Sequence, residues 1–147
     1  MIPPFQPDGN LPPGIHTSNY TEVLKRFGTN SSRREKLVGL KSAIYRLKIA
    51  GCRKLYLDGS FVTSKEFPND YDCCWDTAYV DSYKLDDIFL IPNPKNRRIQ
   101  KLIYGGEFFP STAMERNFKR TFVDFFQTDR ETGKAKGIVV IDLGDSL

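Results

Sequence analysis

The sequence predicts a single-domain α/β (α+β) fold in which helices flank a sheet. Leu37, Leu40, Ile44 and Leu47 recur every three or four positions, the spacing of a helix that lays one apolar face on other structure. The runs Lys54-Leu-Tyr-Leu57, Tyr71-Asp-Cys-Cys-Trp75 and Ile138-Val-Val-Ile141 are short, bounded by turn residues and rich in β-formers, as strands are. A chain of 147 residues is in the usual size range of one domain and can bury roughly two-thirds of its unfolded surface.

Residues 1–16 are proline-rich and form an arm with little helical tendency, so the domain proper is expected over 17–147. Thr17-Ser-Asn19 can cap a short helix, Tyr20–Phe27, that Gly28 stops. Ser32-x-x-Glu35 has the pattern of a capping box and opens a longer helix to about Ala50, with Gly51 beyond it. A strand over 53–57 then meets Gly59-Ser60, and Tyr71–Trp75 forms the next strand. Residues 79–87 have no clear pattern. Asn93-Pro94 starts a helix to about residue 103, with proline at its favoured first position. Residues 107–109 read as a short strand. Residues 113–126 read as a helix carrying Phe118, Phe122, Phe125 and Phe126 on one side. A polar loop over 128–136 leads to a last strand over 137–143. No internal repeat and no second domain is evident.

Composition narrows the function classes. No apolar run approaches the ~20 residues of a membrane span, and Met1-Ile-Pro-Pro-Phe-Gln-Pro7 lacks the charged and apolar regions of a signal peptide. The chain is therefore expected to be cytoplasmic, with no membrane partner. Cys52, Cys73 and Cys74, an odd set with two adjacent members, suit neither a disulfide framework nor a four-ligand zinc site. They read as small buried hydrophobes in a reducing compartment. A net charge of +4 and a pI near 9.0 favour anionic partners without choosing among nucleotide, RNA and an acidic protein. Much of the basic charge lies on predicted helices: Lys25, Arg26, Arg33, Arg34, Lys36, Lys41, Arg46 and Lys48, then Lys95, Arg97, Arg98 and Lys101. These read as solvated helix faces or, more sharply, as a basic cleft that guides nucleic acid; no RNA-binding signature accompanies them.

The residues that carry chemistry are Gly59-Ser60 and Asp70-Tyr71-Asp72. Gly59 lacks a Cβ, so the chain can turn sharply and a phosphate can approach its backbone. Ser60 adds a hydroxyl donor. Alternation along a strand puts Asp70 and Asp72 on one side, roughly 7 Å apart, where they can share Mg²⁺ (or Mn²⁺), hard cations that take oxygen ligands. Phosphoryl and nucleotidyl transfers need positioning and charge neutralisation more than covalent help, and ions held by the two acids would supply both. Lys65, between the two motifs, is an extra phosphate contact or a solvated loop lysine.

Gly-Ser, a short helical segment and Asp-x-Asp resemble the signature of the nucleotidyltransferase superfamily related to DNA polymerase β, above all its minimal, single-domain members. The wider chain resembles a bacterial nucleotidyltransferase-like family through Leu11-Pro-Pro-Gly-Ile-His16, Arg26-Phe-Gly28, Leu57-Asp-Gly-Ser-Phe-Val-Thr63, Pro68-Asn-Asp-Tyr-Asp72, Gly106-Glu-Phe-Phe-Pro110 and Lys136-Gly-Ile138. The resemblance implies a mixed sheet and a third carboxylate from a later strand beside Asp-x-Asp. Glu107 is preferred for that place and Asp142 is the alternative. The catalytic and metal-holding set is then Asp70, Asp72 and Glu107, with Gly59, Ser60 and Lys65 on the nucleotide. The implied activity is transfer of an NMP from an NTP, such as ATP, to a hydroxyl of RNA, protein or a small molecule. The resemblance also implies a toxin-like role in a toxin–antitoxin or phage-defence pair, with a cognate antitoxin or a homo-oligomer as partner. A catalytically inactive fold that only binds or regulates is the alternative from another class.

Other conspicuous residues have plainer readings. His16, the one histidine, follows a Pro-Pro-Gly turn and reads as structural or exposed. The phenylalanines of 118–126 read as core, and Trp75 as a buried strand-end aromatic. Asp76, Asp81, Asp86 and Asp87 lack the spacing of a calcium loop. Arg130, Lys134 and Lys136 suit a solvated turn and a phosphate grip equally.

Overall fold

Asparagines open the three longest helices. The computed structural model describes residues 1–115, 117 and 119–144. Its chain order is β1 (Ile15–Ser18), α1 (Tyr20–Phe27), α2 (Ser31–Ile49), β2 (Lys54–Asp58), β3 (Tyr71–Trp75), α3 (Asp87–Leu90), α4 (Pro94–Tyr104), β4 (Gly106–Pro110), β5 (Met114–Glu115), β6 (Arg120–Thr121), α5 (Phe122–Phe125) and β7 (Ile138–Asp142). Single 3₁₀ turns lie at Ser60–Val62 and Ser82–Lys84. The Asn19 side chain accepts from Glu22 N at 2.9 Å, Asn30 from Arg33 N at 2.8 Å and Asn93 from Asn96 N at 2.8 Å, each satisfying an amide that has no partner in the first turn.

The expected α/β (α+β) single domain forms. Its five-stranded sheet has the order β1-β7-β2-β3-β4 and is mixed. β1–β7 and β3–β4 are parallel, while β2 runs antiparallel to both β7 and β3. Alternation gives the sheet two faces. Leu55 and Leu57 of β2 stand opposite Trp75 and Cys73 of β3. That face joins Val23 and Phe27 of α1 and Leu37, Leu40, Ile44 and Leu47 of α2 in the core. The other face carries Tyr56 and Asp58 of β2, Asp72 and Cys74 of β3, and Glu107 and Phe109 of β4, matched across the strands. On this second face Phe122 of α5 stacks on Phe109 with ring centroids 4.1 Å apart.

Several sequence expectations are corrected. α2 starts at Ser31, capped by Asn30, so Ser32 lies inside the helix, where its hydroxyl accepts from Lys36 Nζ at 3.1 Å instead of forming a capping box. The helix expected over 113–126 does not form. Its first half is the β5–β6 ladder, in which Met114 pairs with Thr121 and Glu115 with Arg120, and only one helical turn follows, with Thr121 Oγ1 accepting from Asp124 N at 3.2 Å. One turn suffices to bring Phe122, Phe125 and Phe126 together, so their spacing does not require the longer helix. Phe118 lies outside the described residues. The 53–57 strand is shifted by one and ends on Asp58. Residues 79–87 hold the second 3₁₀ turn and the start of α3. The arm is packed against the domain: Ile2 and Leu11 are buried in the core and the chain becomes β1 at Ile15. Arg33, grouped above with the solvated helix cations, is only 3 % exposed.

The plain readings of His16, Trp75 and the cysteines agree with the structure, whereas of the late phenylalanines Phe125 is buried and Phe122 and Phe126 are half-buried. His16 Nε2 lies 2.6 Å from the Pro12 carbonyl, and Trp75 is buried and donates from Nε1 to the Phe89 carbonyl. All three cysteines are buried and unbridged, and burial pushes the Cys52 thiol up to about 11. Among the described residues no helix is long and apolar enough to cross a membrane.

Candidate active site

Four acidic side chains collect at one end of the sheet. Asp58 is the last residue of β2 and pairs with Asp72 of β3, which pairs in turn with Glu107 of β4. Residues directly opposite on neighbouring strands share a face, so the three form a row. Asp70 immediately precedes β3 and reaches the same place, because Lys101 Nζ lies 3.1 Å from Asp70 Oδ2 and 3.0 Å from Glu107 Oε1. Arg97 Nε is 3.5 Å from Glu107 Oε2. Asp142 lies elsewhere. It pairs with Lys54 at the opposite end of β2 and accepts the Gly144 amide in a turn. Of the two candidates for a third carboxylate, Glu107 is the one beside Asp72.

The row is crowded with carboxylates and partly closed off from water. Burial, followed by Asp70 and Glu107, raises the Asp72 carboxyl to about 7, with Lys101 and Lys136 pulling the other way. Asp58 has no solvent exposure, and neither of its carboxylate oxygens meets a hydrogen-bond donor among the described residues. Burial first, then Asp72, raises its carboxyl well above the usual range, against the pull of Lys136. A buried carboxyl left without donors is costly as an anion, so Asp58 is held neutral.

The glycine turn sits directly on this row. Gly59 has φ +83°, and a Cβ built there would lie 2.8 Å from Asp72 Oδ2. A Gly59→Ala variant therefore meets both a backbone conformation that L-residues avoid and a carboxylate in the way. It is expected to lose about 2 kcal/mol of stability by urea titration.

Two connected clefts open beside the turn. A small one of about 150 Å³ is lined by Gly59, Ser60, Asp72, Phe125, Phe126 and Lys136, among others. A wider one of about 470 Å³ is lined by Ser60, Thr63, Lys65, Arg130 and Lys136 together with the turn at residues 8–10. They share Ser60, Arg130 and Lys136. Hydrogen bonds tie the walls together: Ser64 N donates to Gly9 O at 2.9 Å and Asn10 Nδ2 to Asp129 Oδ2 at 3.0 Å. Lys65 borders the wider cleft, away from the acid row. Of the cations in the last loop, Arg130 and Lys136 reach the site, and Lys134 lines neither cleft.

The donor chemistry fits a divalent cation, since the row offers only carboxylate oxygen. As they stand, no three acidic, His or Cys side chains among the described residues are grouped as an ion would need. The Lys101 ammonium spans Asp70 and Glu107 and is the group such an ion would displace.

Sequence reasoning missed Asp58, Lys101 and Arg97 as members of this site. Asp58 was cut off by ending its strand one residue early. Arg97 and Lys101 are four residues apart, so one helical face carries both, and that helix leads directly into the Glu107 strand. That spacing was the available signal.

A family model described as "Family of unknown function (DUF6932)" matches residues 3–142. No curated protein and no solved structure matches the chain.

Proposed function

The chain belongs to the DUF6932 family, and we propose that it is a nucleotidyltransferase that moves an NMP from an NTP to a hydroxyl on RNA, protein or a small molecule. The observation that carries this reading is the contact between the Gly59-Ser60 turn and a row of carboxylates: the bare Cα of Gly59 lies against Asp72, and Asp72 stands between Asp58 and Glu107. A phosphate brought to the turn lies next to carboxylates, an arrangement that repels anions unless a cation intervenes. Asp70, Asp72 and Glu107 would hold Mg²⁺ or Mn²⁺, which supplies charge neutralisation at the phosphate when bound.

The chain's own residues do the rest. Ser60 offers a hydroxyl to the polyphosphate, and Arg130 and Lys136 bring cations to the cleft that leads from it. Phe125 and Phe126 wall the inner cleft and exclude water from the acids. In the transfer the acceptor oxygen bonds to the α-phosphorus, the bond from that phosphorus to the bridging oxygen breaks, and pyrophosphate leaves. The acceptor hydroxyl's proton passes to a carboxylate of the acid row, the base nearest the turn.

A second reading has its own observation. Asp70 and Glu107 are already paired with Lys101, as in a fold that binds or regulates without catalysing. One experiment separates the two. The protein is incubated with each labelled NTP, Mg²⁺ or Mn²⁺, and total RNA or lysate, beside an Asp70→Ala/Asp72→Ala variant. Label transfer by the wild type that the variant loses is the expected result. Equal signal from both, or none with either metal, favours the binding module.

A further inference from the structure

α2 carries apolar residues on the face turned away from the core as well as on the face that builds it. Val38, Tyr45 and Ile49 are all more than half exposed. The 3.6-residue period places them in one stripe, with Arg34 and Lys41 along one flank and Arg46 along the other. α4 runs against α2 closely enough that a Cβ on Gly39 would strike the Tyr104 carbonyl. On α4, Leu102 is 86 % exposed and Ile103 58 %, and Lys95 and Arg98 share the Leu102 side by the same period. Between the two helices and residues 84–88 a groove of about 340 Å³ is lined by Arg46, Lys84, Leu85, Asp86, Ile103 and Tyr104, among others.

Scattered single apolar residues on a surface need no explanation. Five on two adjacent helices, bordered by cations, form a patterned surface of the kind that marks an interaction site. Its charge says what fits. Arg34, Lys41, Arg46, Lys95 and Arg98 are exposed, while Glu35 is the exposed acid on these two helices. None of the five cations is in a salt bridge among the described residues. A second copy of the same face would bring like charges together. Nucleic acid would satisfy the cations but leave Val38, Ile49, Leu102 and Ile103 with nothing to pack against, because single strands are held by aromatic stacking.

We propose that the α2–α4 face is a docking surface for an acidic, amphipathic segment of a partner protein, whose apolar side lies along Val38, Tyr45, Ile49 and Leu102 and whose carboxylates meet the flanking cations. The surface is distinct from the glycine turn and its clefts, so it stands or falls independently of the nucleotidyl-transfer reading. Helix-in-groove recognition of this kind reads anchors at helical spacing.

The test uses the full chain and three probes: a synthetic Leu/Glu helix with its leucines on one side, a scrambled peptide of the same composition, and poly(U) RNA. Calorimetric titration is expected to show the amphipathic helix binding at least about tenfold tighter than the scrambled one, with weakening as salt rises. Val38→Glu and Leu102→Glu, both at exposed positions, are expected to abolish that preference with unchanged melting temperatures. Equal binding of the two peptides, preference for poly(U), binding of no probe, or sedimentation showing a dimer that Leu102→Glu dissociates would each overturn the proposal.

Discussion

Asp72→Asn is expected to abolish label transfer and at the same time to make the metal-free protein more stable above pH 7. The Asp72 carboxyl is raised to about 7 in the folded chain, by burial first and then by Asp70 and Glu107, against an ordinary value of about 3.9 when unfolded. Between those values the folded state binds more protons than the unfolded one. The stability associated with this group is therefore fully present below about pH 4 and is lost as pH rises through about 7. Asparagine keeps the shape of the neutral acid and removes the charge. With Asp72 not wholly enclosed, the loss in the wild type is about 2 kcal/mol after allowance for solvent screening. That corresponds to a melting point lower by several degrees at pH 8 than at pH 5 in chelator. The variant's profile is expected to be flatter, and the slope that survives belongs to Asp58, whose carboxyl is pushed up in the same direction. Mg²⁺ or Mn²⁺ added at pH 8 is expected to raise the wild-type melting point and to leave that of the variant nearly unchanged, by ligand linkage. A flat wild-type profile, or equal metal stabilisation of both proteins, would contradict a raised Asp72 carboxyl in the acid row.

What could be read in the sequence was what local chemistry determines. α1, α2 and α4 were visible because their signals are local: Asn19 and Asn93-Pro94 open α1 and α4, and α2 shows in its apolar spacing although its cap is Asn30 and not a Ser32 capping box. Tyr71–Trp75 was found at its exact bounds because a short, mostly apolar run lies between turn residues. β1 was not, since Ile15–Ser18 is a strand only through pairing with Ile138–Ile141, more than a hundred residues away, and a period of two over four residues is weak. The 113–126 helix failed for the opposite reason. Aromatic spacing of three and four fits a long helix and a single turn equally well, and the β5–β6 ladder decides between them through contacts no local pattern announces. At the candidate site, Gly59, Ser60, Asp70 and Asp72 came from motif spacing, and Glu107 from the strand order that the superfamily resemblance implies. The cations that face the acids did not, because a helical lysine looks the same whether it meets solvent, as Lys95 does, or two carboxylates, as Lys101 does. Only registration of α4 on β4 separates them.

Arg33→Met is expected to cost about 3–5 kcal/mol, comparable with removing one partner from a buried charged network. Arg33 projects from α2 into the interior, where Nη1 donates to the carbonyls of Phe27 at 3.3 Å and Phe61 at 2.8 Å, and Nη2 to those of Thr63 at 3.0 Å and Lys65. Its guanidinium carbon lies 4.8 Å from the Phe61 ring centroid. Among the described residues no carboxylate is paired with it. Four carbonyls share the charge, which keeps a buried cation tolerable even though burial lowers its proton affinity. Three of those carbonyls belong to 61–65, the segment that follows Gly59-Ser60 and walls the wider cleft. Methionine fills much of the volume but leaves the carbonyls unsatisfied at about 1–3 kcal/mol apiece before relaxation. Relaxation would come from that segment moving out to water. Hydrogen exchange is therefore expected to quicken over 60–66 well before global unfolding, while α2 stays protected. Arg33→Lys should recover little, because a single ammonium has three donors and no planar fork to reach carbonyls on two sides. A urea midpoint for Arg33→Met within about 1 kcal/mol of wild type, or unchanged exchange over 60–66, would mean that the turn is held by Gly59 and its neighbours alone. Arg33 would then be a passenger in the core.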